Sequence, residues 1–142
     1  MPKTLLKPDP IRLRIESDPA NLKPARQTIE AYALSAGFSR EDVDELGLVV
    51  NEAIANVIRH AYAGATDRPI EVTASIEGDQ SDELHVGIRD WGSGVDPSCL
   101  IPKEKDPLVP GGLGLICMEK MMDECHFVSQ PDGMLLKMMK RK

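Results

Sequence analysis

The sequence predicts an α+β fold, a two-layer α/β sandwich in which three helices cover one face of a mixed, mostly antiparallel sheet. Two observations predict this fold. Several short segments place apolar residues at every second position, which is typical of half-buried strands, and others place them three and four residues apart, as amphipathic helices do. These patterns follow one another through 142 residues without an internal repeat or a linker. We therefore expect residues 1–142 to form a single domain.

The first part of the chain predicts one strand followed by two helices. Alternation at 11–16 indicates a strand, and the apolar spacing across 22–36 indicates a helix. Ser39 and Asp42 form a capping-box pattern at the start of a second helix. The buried stripe of this helix continues to Gly64, so we expect a helix of about six turns.

The second part of the chain returns to strands. Residues 70–76 and 84–90 alternate, and the polar segment between them suits a hairpin loop. A third helix is expected at 111–123, followed by two closing strands at 125–130 and 134–140. The expected order of elements is therefore a strand, two helices, two strands, a helix and two strands.

The composition argues against several classes of function. Hydrophobic residues make up 42% of the chain and charged residues 28%, as in ordinary globular domains. The net charge of −6 opposes direct binding to nucleic acid, which needs a dense basic face. No segment approaches the roughly 18 consecutive apolar residues of a membrane span, so we expect no membrane contact. The three cysteines lack the spacing of a zinc site, and their odd number argues against a disulfide framework, which favours a cytoplasmic protein.

Polar residues on the second helix are the first candidate site. Glu52, Asn56 and His60 are four residues apart and share one helical face. A solvated helix face is the simplest interpretation, but apolar neighbours leave little of this helix for water, so we expect Glu52 and Asn56 to be partly buried. The Asn56 carbonyl oxygen suits Mg²⁺, and Glu52 is placed to accept a proton near the metal. For His60 we expect a structural role.

The end of the strand at 84–90 is the second candidate site. Asp90 has the parity of the apolar positions, so its carboxylate is expected to point towards the covered face, where it needs hydrogen-bond donors. Gly92 and Gly94 leave space for a flat ligand. The exocyclic amine of adenine would supply a donor, whereas guanine presents an oxygen at that place. The alternative is a strand-ending turn in which Asp90 accepts from nearby backbone N–H groups, and the pattern alone does not separate the two.

Glycines at 111–114 are the third candidate site. They lie between a long loop at 95–110 and the start of the third helix. Long loops within a compact domain are usually functional, and glycines at a helix start expose N–H groups that bind anions. Neither the P-loop lysine pattern nor the dinucleotide glycine pattern is present. In this order along the chain, the three candidates together predict a pocket for a metal-bound nucleotide.

These residues resemble the motifs of the GHKL ATPase superfamily. Glu52 and Asn56 match its N box, residues 90–94 match its first glycine box, and residues 112–114 match its second. Within the superfamily, the run at 51–62 is similar to that of bacterial anti-sigma-factor serine/threonine kinases. The resemblance covers nearly the whole chain, and its motifs are more specific in combination than singly.

The resemblance implies a Bergerat-type ATP site covered by a lid, which corresponds to residues 95–110. It also implies that Glu52 is the catalytic base, that Asn56 binds Mg²⁺ and that Asp90 binds adenine. The further nucleotide-binding residues that match the motifs are Gly92, Gly94, Gly112, Leu113 and Gly114.

The resemblance further implies a function. Family members bind a sigma factor and use ATP and Mg²⁺ to phosphorylate a serine or threonine on a STAS-domain anti-anti-sigma protein, and many are homodimers. One alternative is a non-catalytic ATP-binding module that only sequesters its partner. Another is a detached histidine-kinase catalytic domain, although that would need a phosphoacceptor histidine in another chain.

One position departs from the family pattern. Met134 stands where relatives usually carry a threonine that helps to bind adenine, so the sequence leaves open whether kinase activity is retained. The lid also lacks arginine. Lys103 and Lys105 are its only cations, and the sequence assigns neither a role.

Overall fold

The computed structural model describes residues 8–92 and 118–142. Within them, one sheet contains the strands β1 (Ile11–Glu16), β2 (Pro69–Glu77), β3 (Glu83–Asp90), β4 (Glu124–Gln130) and β5 (Gly133–Arg141). Their order across the sheet is β1-β2-β3-β5-β4. The predicted α+β fold is confirmed. The sheet, however, is antiparallel in every pairing of these strands rather than mixed, because β5 and not β4 lies beside β3.

Two helices, α1 (Leu22–Ser35) and α2 (Arg40–Asn56), connect β1 to β2 and pack against each other. The start of α2 is capped as the sequence predicts, since the Ser39 hydroxyl accepts a hydrogen bond from the Asp42 N–H at 3.1 Å. Residues 118–121 are helical and fall within the predicted third helix. The predicted start of that helix lies outside the described residues.

The core lies between the helices and one face of the sheet. Alternate residues of β2 and β3 are buried, as their period-two patterns predict, and they pack against the apolar stripes of α1 and α2. Each large aliphatic side chain buried here contributes about 1.5–3 kcal/mol of hydrophobic free energy. Those buried most completely include Ile29, Leu46, Ile54, Ile70, Leu84, Ile88, Met118 and Met138. In the part of the chain that the structure describes, no helix is long and apolar enough to cross a membrane.

A buried lysine connects β5, α2 and the helical residues at 118–121. The Lys140 ammonium donates to the Met121 carbonyl oxygen at 2.5 Å and to Glu45 Oε1 at 3.3 Å, and it lies 3.8 Å from Asp42 Oδ1. A buried ammonium needs such partners, because an unpaired charge in the interior is costly. The contact therefore fixes the helical residues at 118–121 against α2.

The end of α2 differs from the prediction. The regular helix ends at Asn56, and a π-helical turn follows at Val57–Ala61, in which the Tyr62 N–H donates to the Val57 carbonyl oxygen at 3.0 Å. The helical segment therefore ends at Ala61, three residues before the predicted end at Gly64, and its last turn is π rather than α. A π turn adds a single residue, which leaves the spacing of apolar residues almost unchanged. Such turns occur frequently at functional sites, and this one borders the candidate pocket.

Candidate functional site

A pocket of about 420 Å³, partly open to solvent, lies between the end of α2 and the central strands. Asn56 and Asp90 both line it, so the structure brings two of the three candidate clusters together. The third cluster at 111–114 and the lid at 95–110 lie outside the described residues, as does Gly94. Its other described lining residues are mostly apolar, namely Ala53, Val57, His60, Ala61, Ile88, Met118, Phe127, Met134 and Leu136.

Asp90 ends β3 with its carboxylate turned towards the helices, and only 4% of the residue is exposed. Burial raises the pKa of this carboxyl above its usual range, while the Gly92 N–H, the Arg89 charge and the Met134 N–H act in the opposite direction. Asp90 Oδ1 accepts from the Gly92 N–H at 3.0 Å. The strand-ending turn considered above is therefore present. A carboxylate has about four acceptor positions, so this turn leaves capacity for a ligand donor.

Gly92 packs against the π turn. A Cβ atom at this glycine would lie 2.5 Å from the Ala61 carbonyl oxygen and 2.8 Å from the Ala61 Cβ. These distances are too short for any side chain, so close packing against Ala61 is sufficient reason for a glycine here. Among the described residues, Gly92 does not line the pocket that contains Asn56 and Asp90.

Tyr62 connects the π turn to the end of β3, and the sequence analysis assigned it no role. Its hydroxyl donates to the Pro69 carbonyl oxygen at 2.5 Å and accepts from the Trp91 N–H at 2.8 Å. The residue is buried. Tyr62 thereby holds the backbone immediately after Asp90. The signal available in the sequence was a tyrosine directly after a long amphipathic helix, because a tyrosine that packs into the interior needs a hydrogen-bond partner for its hydroxyl.

Replacing Tyr62 with phenylalanine is expected to lower the free energy of unfolding by about 1–2 kcal/mol, because the Trp91 N–H and the Pro69 carbonyl lose a buried partner. Denaturant unfolding measures this loss. Tyr32→Phe is the matched control: the Tyr32 hydroxyl donates to the Pro8 carbonyl oxygen over a longer distance, 3.4 Å, and also contacts the Ile76 backbone, so a smaller loss is expected there. Equal losses in the two variants would contradict the linking role of Tyr62.

The polar face of α2 forms the other side of the site. Asn56 is 5% exposed, and the Glu52 side chain is 39% exposed, in line with the expected partial burial. His60 is exposed yet lines the pocket, and burial of its ring together with the nearby Arg59 charge lowers its pKa. These residues therefore do not form an ordinary solvated helix face, because Asn56 is buried among apolar neighbours.

Arg59 contacts both Glu52 and Asn56, a role that its sequence pattern did not predict. Its Nη2 donates to Asn56 Oδ1 at 2.7 Å and lies 3.7 Å from Glu52 Oε2. The available signal was spacing, because residues three positions apart on a helix are neighbours. Among the described side chains, Asn56 Nδ2 is a buried donor that lacks a hydrogen-bond partner. Buried donors are normally satisfied, so this atom suits an acceptor on a bound ligand.

These observations fit a metal-bound nucleotide. Residues 8–92 and 118–142 contain no cluster of three or more histidine, cysteine, aspartate or glutamate side chains that could hold a metal ion by themselves. Mg²⁺ differs from zinc in this respect, since it is commonly held by one or two protein oxygens together with water and phosphate. Asn56 Oδ1 is such an oxygen, and the orphaned Nδ2 beside it offers a donor to the same ligand.

Comparison with known proteins identifies the class. The sequence profile of the histidine kinase-like ATPase domain matches residues 15–140. The chain therefore belongs to the histidine kinase-like ATPase domain family, which confirms the resemblance to GHKL ATPases.

Among its curated relatives, the chain is similar to serine-protein kinase RsbW of Listeria innocua, with 31% identity over 82% of this chain and 77% of the relative. It is also similar to serine-protein kinase RsbW of Bacillus licheniformis, with 32% identity over 83% of this chain and 77% of the relative. A crystal structure of the RsbU and RsbW domains of a Mycobacterium tuberculosis protein aligns with a TM-score of 0.69 and 18% identity, over 94% of this chain and 32% of that one. The structural likeness shows a shared fold.

Proposed function

We propose that this protein is an ATP-dependent serine/threonine kinase and anti-sigma factor, which binds a sigma factor and phosphorylates a STAS-domain anti-anti-sigma protein. The observation that carries the proposal is that Asn56 of α2 and Asp90 of β3 line one pocket. The names of the curated relatives support the kinase activity. The sigma factor and the STAS-domain substrate are supported by the resemblance of residues 51–62 to anti-sigma-factor kinases.

Asp90 selects the base in this proposal. Its buried carboxylate accepts from the exocyclic amine of adenine, while Gly92 N–H keeps one of its oxygens in place. Guanine would direct a carbonyl oxygen at the carboxylate and leave a buried acceptor without a donor, which is costly. The apolar walls, which include Ile88 and Leu136, suit a planar base.

Glu52 and Asn56 act at the phosphate end. The substrate hydroxyl oxygen bonds to the γ-phosphorus as the bond from that phosphorus to the β,γ-bridging oxygen breaks, ADP leaves, and the hydroxyl proton passes to Glu52. Asn56 contributes its carbonyl oxygen to Mg²⁺ and its Nδ2 donor to a phosphate oxygen. The metal supplies neutralisation of phosphate charge. These side chains supply orientation, which provides much of the rate enhancement in phosphoryl transfer.

The remaining assignments extend the proposal to residues outside the described ranges. Gly94, Gly112, Leu113 and Gly114 bind the nucleotide, and residues 95–110 form the ATP lid. The support for these assignments is the match of the glycine motifs to the superfamily.

A non-catalytic sequestering module is the second candidate function. Met134 favours it, because this residue lines the pocket and replaces the threonine that relatives usually carry for adenine binding. In this case nucleotide would bind without transfer of phosphate.

Incubation with γ-labelled ATP, Mg²⁺ and the STAS-domain protein encoded nearest to this chain's gene separates the candidates. The kinase proposal expects acid-stable label on serine or threonine of the STAS-domain protein. Absence of label, with ATP bound, would support sequestration. Acid-labile label on a partner histidine would identify a detached histidine-kinase domain.

Location and assembly complete the proposal. A cytoplasmic location is supported by the odd number of cysteines and by the sigma-factor partner. A homodimer is supported by the resemblance to a family in which dimers are common. Sedimentation equilibrium of the full chain tests the dimer, and a mass equal to 15.6 kDa at micromolar concentration would contradict it.

A further inference from the structure

Arg59 lies beside both residues that the proposed function assigns to the phosphate end of the site. One guanidinium nitrogen, Nη2, donates to Asn56 Oδ1 at 2.7 Å and stands 3.7 Å from Glu52 Oε2. About 40% of the Arg59 side chain is exposed. The guanidinium is therefore anchored at its tip to two functional side chains, while its stem is free to change conformation without disturbing the core.

The surrounding charges make Arg59 the main cation at this end of the pocket. None of the described residues that line the pocket is a lysine or an arginine. His60 also lines the pocket, and burial together with the Arg59 charge lowers its pKa, which favours the neutral imidazole. Among the described residues, Arg59 therefore supplies the permanent positive charge in contact with Asn56.

A guanidinium and a metal ion compete for this position. Two cations that share one carbonyl oxygen repel each other, and the repulsion is stronger in a partly buried site than in water. A guanidinium also binds phosphate oxygens well, because its planar donors match their geometry. Arg59 can thus neutralise a nucleotide phosphate by itself, but it cannot keep Asn56 Oδ1 when a metal ion binds to that oxygen.

We propose that Arg59 and Mg²⁺ are alternative cations for the Asn56 oxygen. Arg59 donates to Asn56 and pairs with Glu52 until Mg²⁺-bound nucleotide takes the oxygen, and the guanidinium then leaves both side chains. This inference rests on the proposed ATP site. Its consequence is a coupling between metal binding and catalysis, because Glu52 is released from its ion pair, and so becomes available to the substrate hydroxyl, only when the metal is in place.

Calorimetric titration with ATP, once with saturating Mg²⁺ and once with EDTA, measures this competition. The informative quantity is the Kd without metal divided by the Kd with metal. In Arg59→Gln this ratio is expected to rise about tenfold or more, the worth of one charge-assisted hydrogen bond. In this variant, metal-free ATP binds more weakly because the guanidinium no longer neutralises its phosphates. Metal-bound ATP binds without having to displace Arg59 from Asn56. Arg59→Lys keeps the charge and should give an intermediate ratio.

The matched control is Arg40→Gln. Arg40 is at the other end of α2, where it is exposed and pairs with Asp44 at 3.4 Å, so its replacement removes the same charge and should leave the ratio unchanged. An unchanged ratio in Arg59→Gln would overturn the inference. A lower ratio would also overturn it, because Arg59 would then orient Asn56 for the metal. Wild-type protein that binds no ATP in either buffer would instead contradict the proposed function, so the two failures are distinguishable.

Discussion

Replacing Glu52 with glutamine is expected to lower the rate of phosphoryl transfer by about 10²–10⁴-fold, the usual contribution of a general base. ATP affinity should remain nearly unchanged. Glu52 is not among the described residues that line the pocket around Asp90, and 39% of its side chain is exposed, so its replacement leaves the base-binding walls intact. Glutamine keeps the size of the side chain but cannot accept the hydroxyl proton. Single-turnover transfer from labelled ATP to the STAS-domain protein measures the effect.

Glu41→Gln is the appropriate control for this experiment. Glu41 is an exposed carboxylate in the first turn of the same helix, so its replacement changes the net charge equally but is remote from Asn56. Transfer by the Glu41 variant should match that of the wild type. Wild-type transfer by Glu52→Gln would show that another group takes the proton.

Replacing Asp90 with asparagine is expected to weaken ATP binding by about 1.5–3 kcal/mol, or roughly 10–150-fold, the worth of a hydrogen bond to a charged group. The same substitution should not lower the free energy of unfolding. Burial raises the pKa of Asp90, so the folded state carries the charged carboxylate at a cost, which the neutral amide avoids. A loss of binding without a loss of stability would therefore separate function from folding at this position.

The pH dependence of ATP binding provides a second test of Asp90. The carboxylate must be ionised to accept from the adenine amine, so affinity is expected to fall as the pH falls through the Asp90 pKa. Because burial raises that pKa, the fall should begin at a higher pH than for an ordinary aspartate. Asp90→Asn should abolish this dependence. Asp132 is an exposed carboxylate that pairs with Arg89 at 2.7 Å, and the variant Asp132→Asn should keep the pH dependence of ATP binding. Equal ATP affinity of Asp90→Asn and wild type would refute the assignment.

Most of the fold was predictable from the sequence because each strand and helix buries one face. The alternation that ends in Asp90 predicted both the strand β3 and the inward direction of the carboxylate, since side-chain orientation in a strand has a period of two. The cap at Ser39 was predictable for a similar reason, because the unpaired N–H groups at a helix start select a small set of side chains.

The contacts that shape the site were less predictable. The π turn after Asn56 leaves the hydrophobic pattern almost intact, so periodicity did not reveal it. Tyr62 and Trp91 are far apart in the sequence, and their hydrogen bond depends on how the turn packs against β3. In the sequence, Arg59 is indistinguishable from an ordinary surface arginine. Its contacts with Glu52 and Asn56 become evident only in the structure. Sheet order also escaped prediction, since it depends on which closing strand pairs with β3.

The central claim is that Asn56 of α2 and Asp90 of β3 share one pocket that binds Mg²⁺-bound ATP and discriminates by base. Calorimetric titration of the wild-type protein with ATP and with GTP, both in excess Mg²⁺, tests it most directly. Saturable ATP binding is predicted, with GTP weaker by at least about tenfold because its carbonyl oxygen would face the Asp90 carboxylate. Absence of ATP binding, or equal affinity for GTP, would contradict the claim.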